Sequence, residues 1–156
     1  MTFHHLTFTV NGQAQAVLVE PRQTLLDVLR GPLNLRGAHR GCDSGDCGAC
    51  TVMLNGQPVT ACLVLALDCQ DAQVLTVEAV ADGPVMHAVQ QALVDKGGIQ
   101  CGFCTPGMVM AAVALLNENP RPSEPQVRRA LAGNLCRCTG YQKIVEAVLV
   151  AAEMSA

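Results

Sequence analysis

Gly41-Cys42-Asp43-Ser44-Gly45-Asp46-Cys47-Gly48-Ala49-Cys50-Thr51-Val52 carries three of the chain's nine cysteines in the spacing C-x4-C-x2-C. A fourth, Cys62, follows after a hairpin signal at Asn55-Gly56. Four thiolates, three in this spacing and one farther on, make the plant-type pattern of a [2Fe–2S] centre. Farther along the chain lies a second quartet. Cys101 and Cys104 stand in Gln100-Cys101-Gly102-Phe103-Cys104, and Cys136 and Cys138 in Asn134-Leu135-Cys136-Arg137-Cys138-Thr139. Two such centres in one small chain imply a relay that moves electrons singly.

In the first quartet, Gly41, Gly45 and Gly48 let backbone N–H groups turn toward anionic sulfur without a Cβ in the way. Asp43 and Asp46 are read as solvated. Zinc is a poor rival here, because its sites favour paired C-x-x-C knuckles rather than a glycine-studded gap. The second quartet pairs C-x2-C with a distant C-x-C. Each pair leads into an expected helix start, with Thr105 as cap and Pro106 in the first turn. Helix N-termini offer free N–H groups and a positive dipole end to an anionic tetrathiolate. From spacing alone zinc remains open at this second site. The one-electron centre beside it favours iron. Cys69 belongs to neither quartet and reads as a small buried hydrophobe. His4, His5, His39 and His87 share no ligand spacing, and the methionines of Gly107-Met108-Val109-Met110 read as core.

Half of the 156 residues are hydrophobic, yet there is no Trp, one Tyr and three Phe, so the cores must be aliphatic. A net charge of −3 without a basic stripe argues against a nucleic-acid partner. No apolar run approaches the ~18 residues of a membrane span. The N-terminal MTFHHLTFTV shows no basic segment leading into a long apolar one, so a cytoplasmic protein is expected. An odd number of cysteines then reads as metal ligation in a reducing compartment rather than a disulfide framework.

The first half reads as β-rich. Leu6, Phe8 and Val10 alternate with polar residues, Asn11-Gly12 offers a two-residue turn, and Ala16, Leu18 and Glu20 continue a second strand. Thr24 to Arg30 reads as a short helix stopped by Gly31-Pro32. Thr51–Leu54 and Val59–Cys62 flank the second hairpin turn, and Val74–Glu78 is a last strand. This ββα-type order resembles the β-grasp of ferredoxins. From about Pro84 the signals turn helical: Met86 to Lys96, Pro106 to Asn117, Glu124 to Ala132 and Tyr141 to Glu153. Ser123-x-x-Gln126 has the spacing of a capping box. Met108 to Leu116 is apolar nearly all round, as in a helix buried within a bundle. The boundary is expected within residues 79–83.

Together, GCDSGDCGACTV, Cys62, QCGFCTPGMVM and GNLCRCTGY closely resemble the small iron–sulfur subunit of the molybdenum hydroxylases. This is the family of xanthine dehydrogenase, aldehyde oxidase and bacterial carbon monoxide dehydrogenase. The resemblance spans residues 7–152. It implies an α+β fold: residues 1–79 form a β-grasp, ferredoxin-like domain holding a [2Fe–2S] cluster on Cys42, Cys47, Cys50 and Cys62. Residues 80–156 form an all-α four-helix bundle holding the second on Cys101, Cys104, Cys136 and Cys138. Gln100 matches the family's glutamine that contacts the pterin of the molybdenum cofactor.

The resemblance further implies a large molybdenum-cofactor subunit and a medium FAD subunit as partners, in a heterotrimer able to dimerise. Electrons would pass one at a time from molybdenum through both clusters to FAD, with no catalytic residue on this chain. A free-standing carrier, a zinc-stapled module and a complex with a haem or quinone acceptor are the rivals. A mean hydropathy of +0.29 favours a permanently buried subunit over the free carrier.

Overall fold

The computed structural model describes residues 2–154. β1 (His4–Val10) and β2 (Gln13–Val19) form a hairpin in which Leu6 faces Val17. Its turn places Asn11 at φ 52° and Gly12 at φ 77°, the left-handed pair that a tight hairpin demands. Leu6, Phe8 and Val10 are buried as the alternation predicts. The second strand runs in the other phase. Val17 and Val19 face the core, while Ala16 and Leu18 point outward, because the register fixed by the turn sets Leu6 opposite Val17.

α1 (Leu25–Arg30) starts at a capping box in which Asp27 Oδ2 accepts from Thr24 N, and Asp27 N donates to Thr24 Oγ1. β3 (Thr51–Leu54), β4 (Gln57–Thr60) and β5 (Gln73–Leu75) complete a sheet of order β2-β1-β5-β3-β4. β1 and β5 are parallel, and the remaining pairings are antiparallel. β4 ends before Cys62, and the last strand is shorter than expected. Val77–Ala79 turns into a 3-10 helix instead of extending it. Leu6, Leu25, Leu26, Leu29 and Val52 lie at the centre of this first core.

The second core is formed by α2 (Ala88–Asp95), α3 (Thr105–Glu118), α4 (Glu124–Ala130) and α5 (Gln142–Met154). His87 caps α2, its Nδ1 accepting from Val89 N at 3.2 Å. Ser123 N donates to Gln126 Oε1 at 2.7 Å, as the box spacing requires. α3 is buried continuously from Gly107 to Val113, consistent with its unbroken apolar sequence. Its cap is Cys104 rather than Thr105, which already lies inside the first turn. Val74 belongs to the first core, and Val77 packs on the second. The join is anchored: Thr76 exchanges hydrogen bonds with Asn11 at 2.9 Å, and Glu78 Oε1 accepts from Gly37 N at 2.7 Å.

Candidate metal centres

The loop between α1 and β3 has no regular structure, and its shape comes from left-handed residues at Asp43 (φ 57°), Gly45 (φ 82°) and Gly48 (φ 65°). Those turns bring Ser44 N and Cys47 N to 3.4 and 3.5 Å from Cys42 Sγ. The N–H donors at the thiol therefore come from residues beside the glycines rather than from the glycines themselves. Hydrogen bonding from Ser44, followed by that from Cys47, holds the Cys42 thiol down to about 6. Cys50 is at the buried end. Its thiol is pushed up to about 11 by burial first, with Cys62 and Cys47 adding to the rise. Cys47 is raised by burial, and then by Cys42 and Cys62. Arg40 braces the loop by pairing with both Asp43 and Asp27, so Asp43 has an ionic partner as well as solvent.

The second quartet is assembled from two distant segments. Cys101 and Cys138 bring their sulfurs to 3.5 Å, and both are exposed. Cys104, at the head of α3, is pushed up to about 12 by burial first and then by Cys136 and Cys101. Burial raises Cys136, but hydrogen bonding from Thr139 and Cys138 brings it below its ordinary value; its Sγ lies 3.1 Å from Thr139 Oγ1. Tyr141, itself at φ 68°, accepts the Cys136 N–H on its hydroxyl at 2.7 Å. Gln100 is exposed immediately before Cys101 and makes no hydrogen bond among the described residues.

Within each quartet, charge on neighbouring thiolates adds to the rise, at Cys47 and Cys50 in the first and at Cys104 in the second, because adjacent thiolates repel. All four ionise together only around a cationic centre, and the donor set of four soft thiolates fits iron–sulfur chemistry. Among the described residues no three His, Cys, Asp or Glu side chains are grouped as a single-ion site. Cys69 is fully buried in the first core, its thiol pushed up to about 11 by burial.

Three features escaped the reading of the sequence. Asn134 is buried between the two halves, donating to Gly48 O at 2.9 Å. His39 stacks on Phe103 and its Nδ1 meets Phe103 O at 2.8 Å, which joins the two cysteine loops. Tyr141 is the third. Only Asn134 and Tyr141 had a sequence cue, their place within two and five residues of Cys136 in GNLCRCTGY.

Residues 8–74 match the family model of 2Fe-2S iron-sulfur cluster binding domains, and residues 76–149 match that of [2Fe-2S] binding domains. Across 97% of its length the chain is 44% identical to the nicotinate dehydrogenase small FeS subunit of Eubacterium barkeri, covering 96% of that protein. The chain belongs to the small iron–sulfur subunits of the molybdenum hydroxylase family. The subunit superposes on quinoline 2-oxidoreductase from Pseudomonas putida 86 with a TM-score of 0.95 and 40% identity, covering 98% of this chain and 96% of that one. It also matches the aldehyde oxidoreductase from Desulfovibrio desulfuricans, with a TM-score of 0.93 and 44% identity, over 97% of the subunit but 17% of that longer chain. The mixed α+β fold is thus the ferredoxin-like fold of such subunits. The subunit carries iron–sulfur clusters and serves electron transfer within a larger oxidoreductase that has bigger partner subunits.

Proposed function

We propose that Cys42, Cys47, Cys50 and Cys62 ligate one [2Fe–2S] cluster, and Cys101, Cys104, Cys136 and Cys138 the other. On this reading Gln100 contacts the pterin of a molybdenum cofactor on a large partner subunit. Electrons travel from there to the helical region, then to the ferredoxin-like region, and on to FAD on a medium subunit of a heterotrimer that dimerises. The four helices act as a bundle, with the division between residues 1–79 and 80–156 supported by the two separate cores. A cytoplasmic, reducing compartment belongs to the same proposal, since eight thiols must stay reduced to accept iron.

The observation that carries it is the pair of gathered thiol quartets, each with exposed members (Cys42; Cys101 and Cys138), held together by direct contacts between their loops. When bound, each cluster supplies a one-electron couple. The chain's own contribution is to hold the thiolates and stabilise their charge. Ser44 and Cys47 N–H groups do so at Cys42, and Thr139 does so at Cys136. The exposed amide of Gln100 offers both donor and acceptor to a pterin edge.

Permanent association is favoured over a free carrier by two observations. The same fold occupies 17% of a single longer aldehyde oxidoreductase chain, where it is covalently joined to the rest. An open apolar cleft of about 360 Å³, lined by Met86, Val94, Ile99 and Gly102 among others, also lies beside the Cys101 approach. The test is the molybdenum, flavin, iron and acid-labile sulfide content of the chain purified with its native partners. About four iron and four sulfide per chain, with molybdenum and flavin, are expected from two binuclear clusters. Zinc in place of iron, or iron–sulfur without molybdenum, would overturn the assignment.

A further inference from the structure

The seam between the two quartets is tighter than a docking of two domains requires. The Gly48 carbonyl accepts from Thr51 N at 3.1 Å, Thr51 Oγ1 at 2.6 Å and Asn134 Nδ2 at 2.9 Å. Asn134 and Thr51 are both buried there, 5% and 7% exposed. Glycine is required on both sides of this contact. A Cβ on Gly48 would stand 2.3 Å from Gly133 O, and one on Gly107 would stand 2.3 Å from Gly48 O. Immediately beside the clamp, Leu135 N donates to Cys47 O at 2.9 Å. Cys47 belongs to one quartet, and Leu135 is bonded directly to Cys136 of the other. The two quartets are therefore joined by one backbone hydrogen bond between a proposed ligand and the neighbour of another.

We infer that Asn134 is a positioning residue for electron transfer between the quartets, fixing the Cys47 carbonyl–Leu135 amide bond as the bonded route. This rests on the cluster assignment proposed above. The route carries one electron per event, supplied by substrate oxidation on the larger subunit. With clusters bound, the centre held by the Cys101 quartet would give up one electron, and that held by the Cys42 quartet would accept it. No bond in the chain breaks, and no proton leaves Leu135 or Asn134. The side chain of Leu135 takes no part and is 55% exposed. Asn134 acts through geometry alone: its amide holds Gly48, the residue after Cys47, against the segment that presents Leu135.

The experiment uses the natively assembled complex carrying Asn134→Ala, with iron content measured first. Amide exchange at Leu135 reports the hydrogen bond. Spin–spin interaction between the two reduced clusters and the rate of transfer between them report the route. The expected result is at least tenfold faster exchange at Leu135, a weakened interaction and several-fold slower transfer, with the potential of each cluster unchanged. Leu135→Ala, which keeps the N–H, leaves all three readouts as in the natural chain. Should Asn134→Ala fail to assemble, Asn134→Ser removes the same reach with a smaller loss of packing. Full iron and faster Leu135 exchange with undiminished interaction and rate would overturn the inference, as would a loss of coupling in Leu135→Ala. Fewer than two clusters in the natural complex would instead remove the assignment on which it rests.

Discussion

The two quartets solve the same problem of gathering thiolates by opposite means. Cys42, Cys47 and Cys50 come from one short loop whose curvature is written in Asp43, Gly45 and Gly48, and the loop rests on a core centred on Leu25, Leu26 and Val52. Cys101 and Cys104 lead into α3, while Cys136 and Cys138 approach α5, so the second quartet exists only where distant helices meet. A site made by turn chemistry borrows little from tertiary packing. One made by convergence is itself a cross-link. Metal should therefore be a guest of the first region and a brace of the second.

Cys136→Ser gives the sharpest break. It should halve iron to about two per chain and lower turnover with any acceptor beyond the clusters by at least about a hundredfold, with reduced molybdenum accumulating. Normal steady-state rates in that variant would end the relay reading. Cys42→Ser should lose the same amount of iron but, unlike Cys136→Ser, leave amide protection in α3 and α5 intact.

Chelation of all iron should extend the contrast. Hydrogen exchange is expected to rise around residues 101–108 and 136–145, while the strands about Leu6 and Val52 stay protected. Equal loosening of both halves would refute the distinction between guest and brace. Next in size is a pair of glycine substitutions. Gly48→Ala combines a left-handed φ with a clash against Gly133 O and should cost about 2–4 kcal/mol in thermal unfolding. Gly12→Ala has the same kind of φ in open space and should cost only about 1 kcal/mol.

The smallest effect concerns the metal-free chain. Cys42, held down to about 6, should be alkylated first at neutral pH, and its labelling should fall as pH drops through that value. Cys50, Cys69 and Cys104, pushed up to about 11, 11 and 12, should label last. Mass spectrometry of alkylated peptides across pH 5–9 checks the order.

Much of this was legible in the sequence because turn residues and cap spacings are local instructions. Asn11-Gly12, Asn55-Gly56, Gly31-Pro32 and Ser123-x-x-Gln126 each mark a boundary that the structure keeps. The phase of β2 was not legible, since Ala16, Val17, Leu18 and Val19 are all apolar and only pairing with Leu6 decides which face turns inward. The cap of α3 was misread because Thr105 is the better capping residue by type, while Cys104 holds the position. What Asn134 and His39 bind was not legible, for a deeper reason. Their partners, Gly48 O and Phe103 O, are backbone atoms far away in sequence, and no side-chain pattern announces a carbonyl.

The clamp on Gly48 also sets a clock. Asn134 lies 86 residues downstream of the carbonyl it holds. At ~5–20 residues per second, a ribosome completes that interval in on the order of 4–17 s. Within that time, once β5 has been made, the loop bearing Cys42, Cys47 and Cys50 can fold on its own sheet while its outer side stays uncovered. On the ligand assignment proposed above, synthesis itself thus grants the first quartet an interval of open access for iron and sulfide delivery, which closes when the C-terminal half arrives.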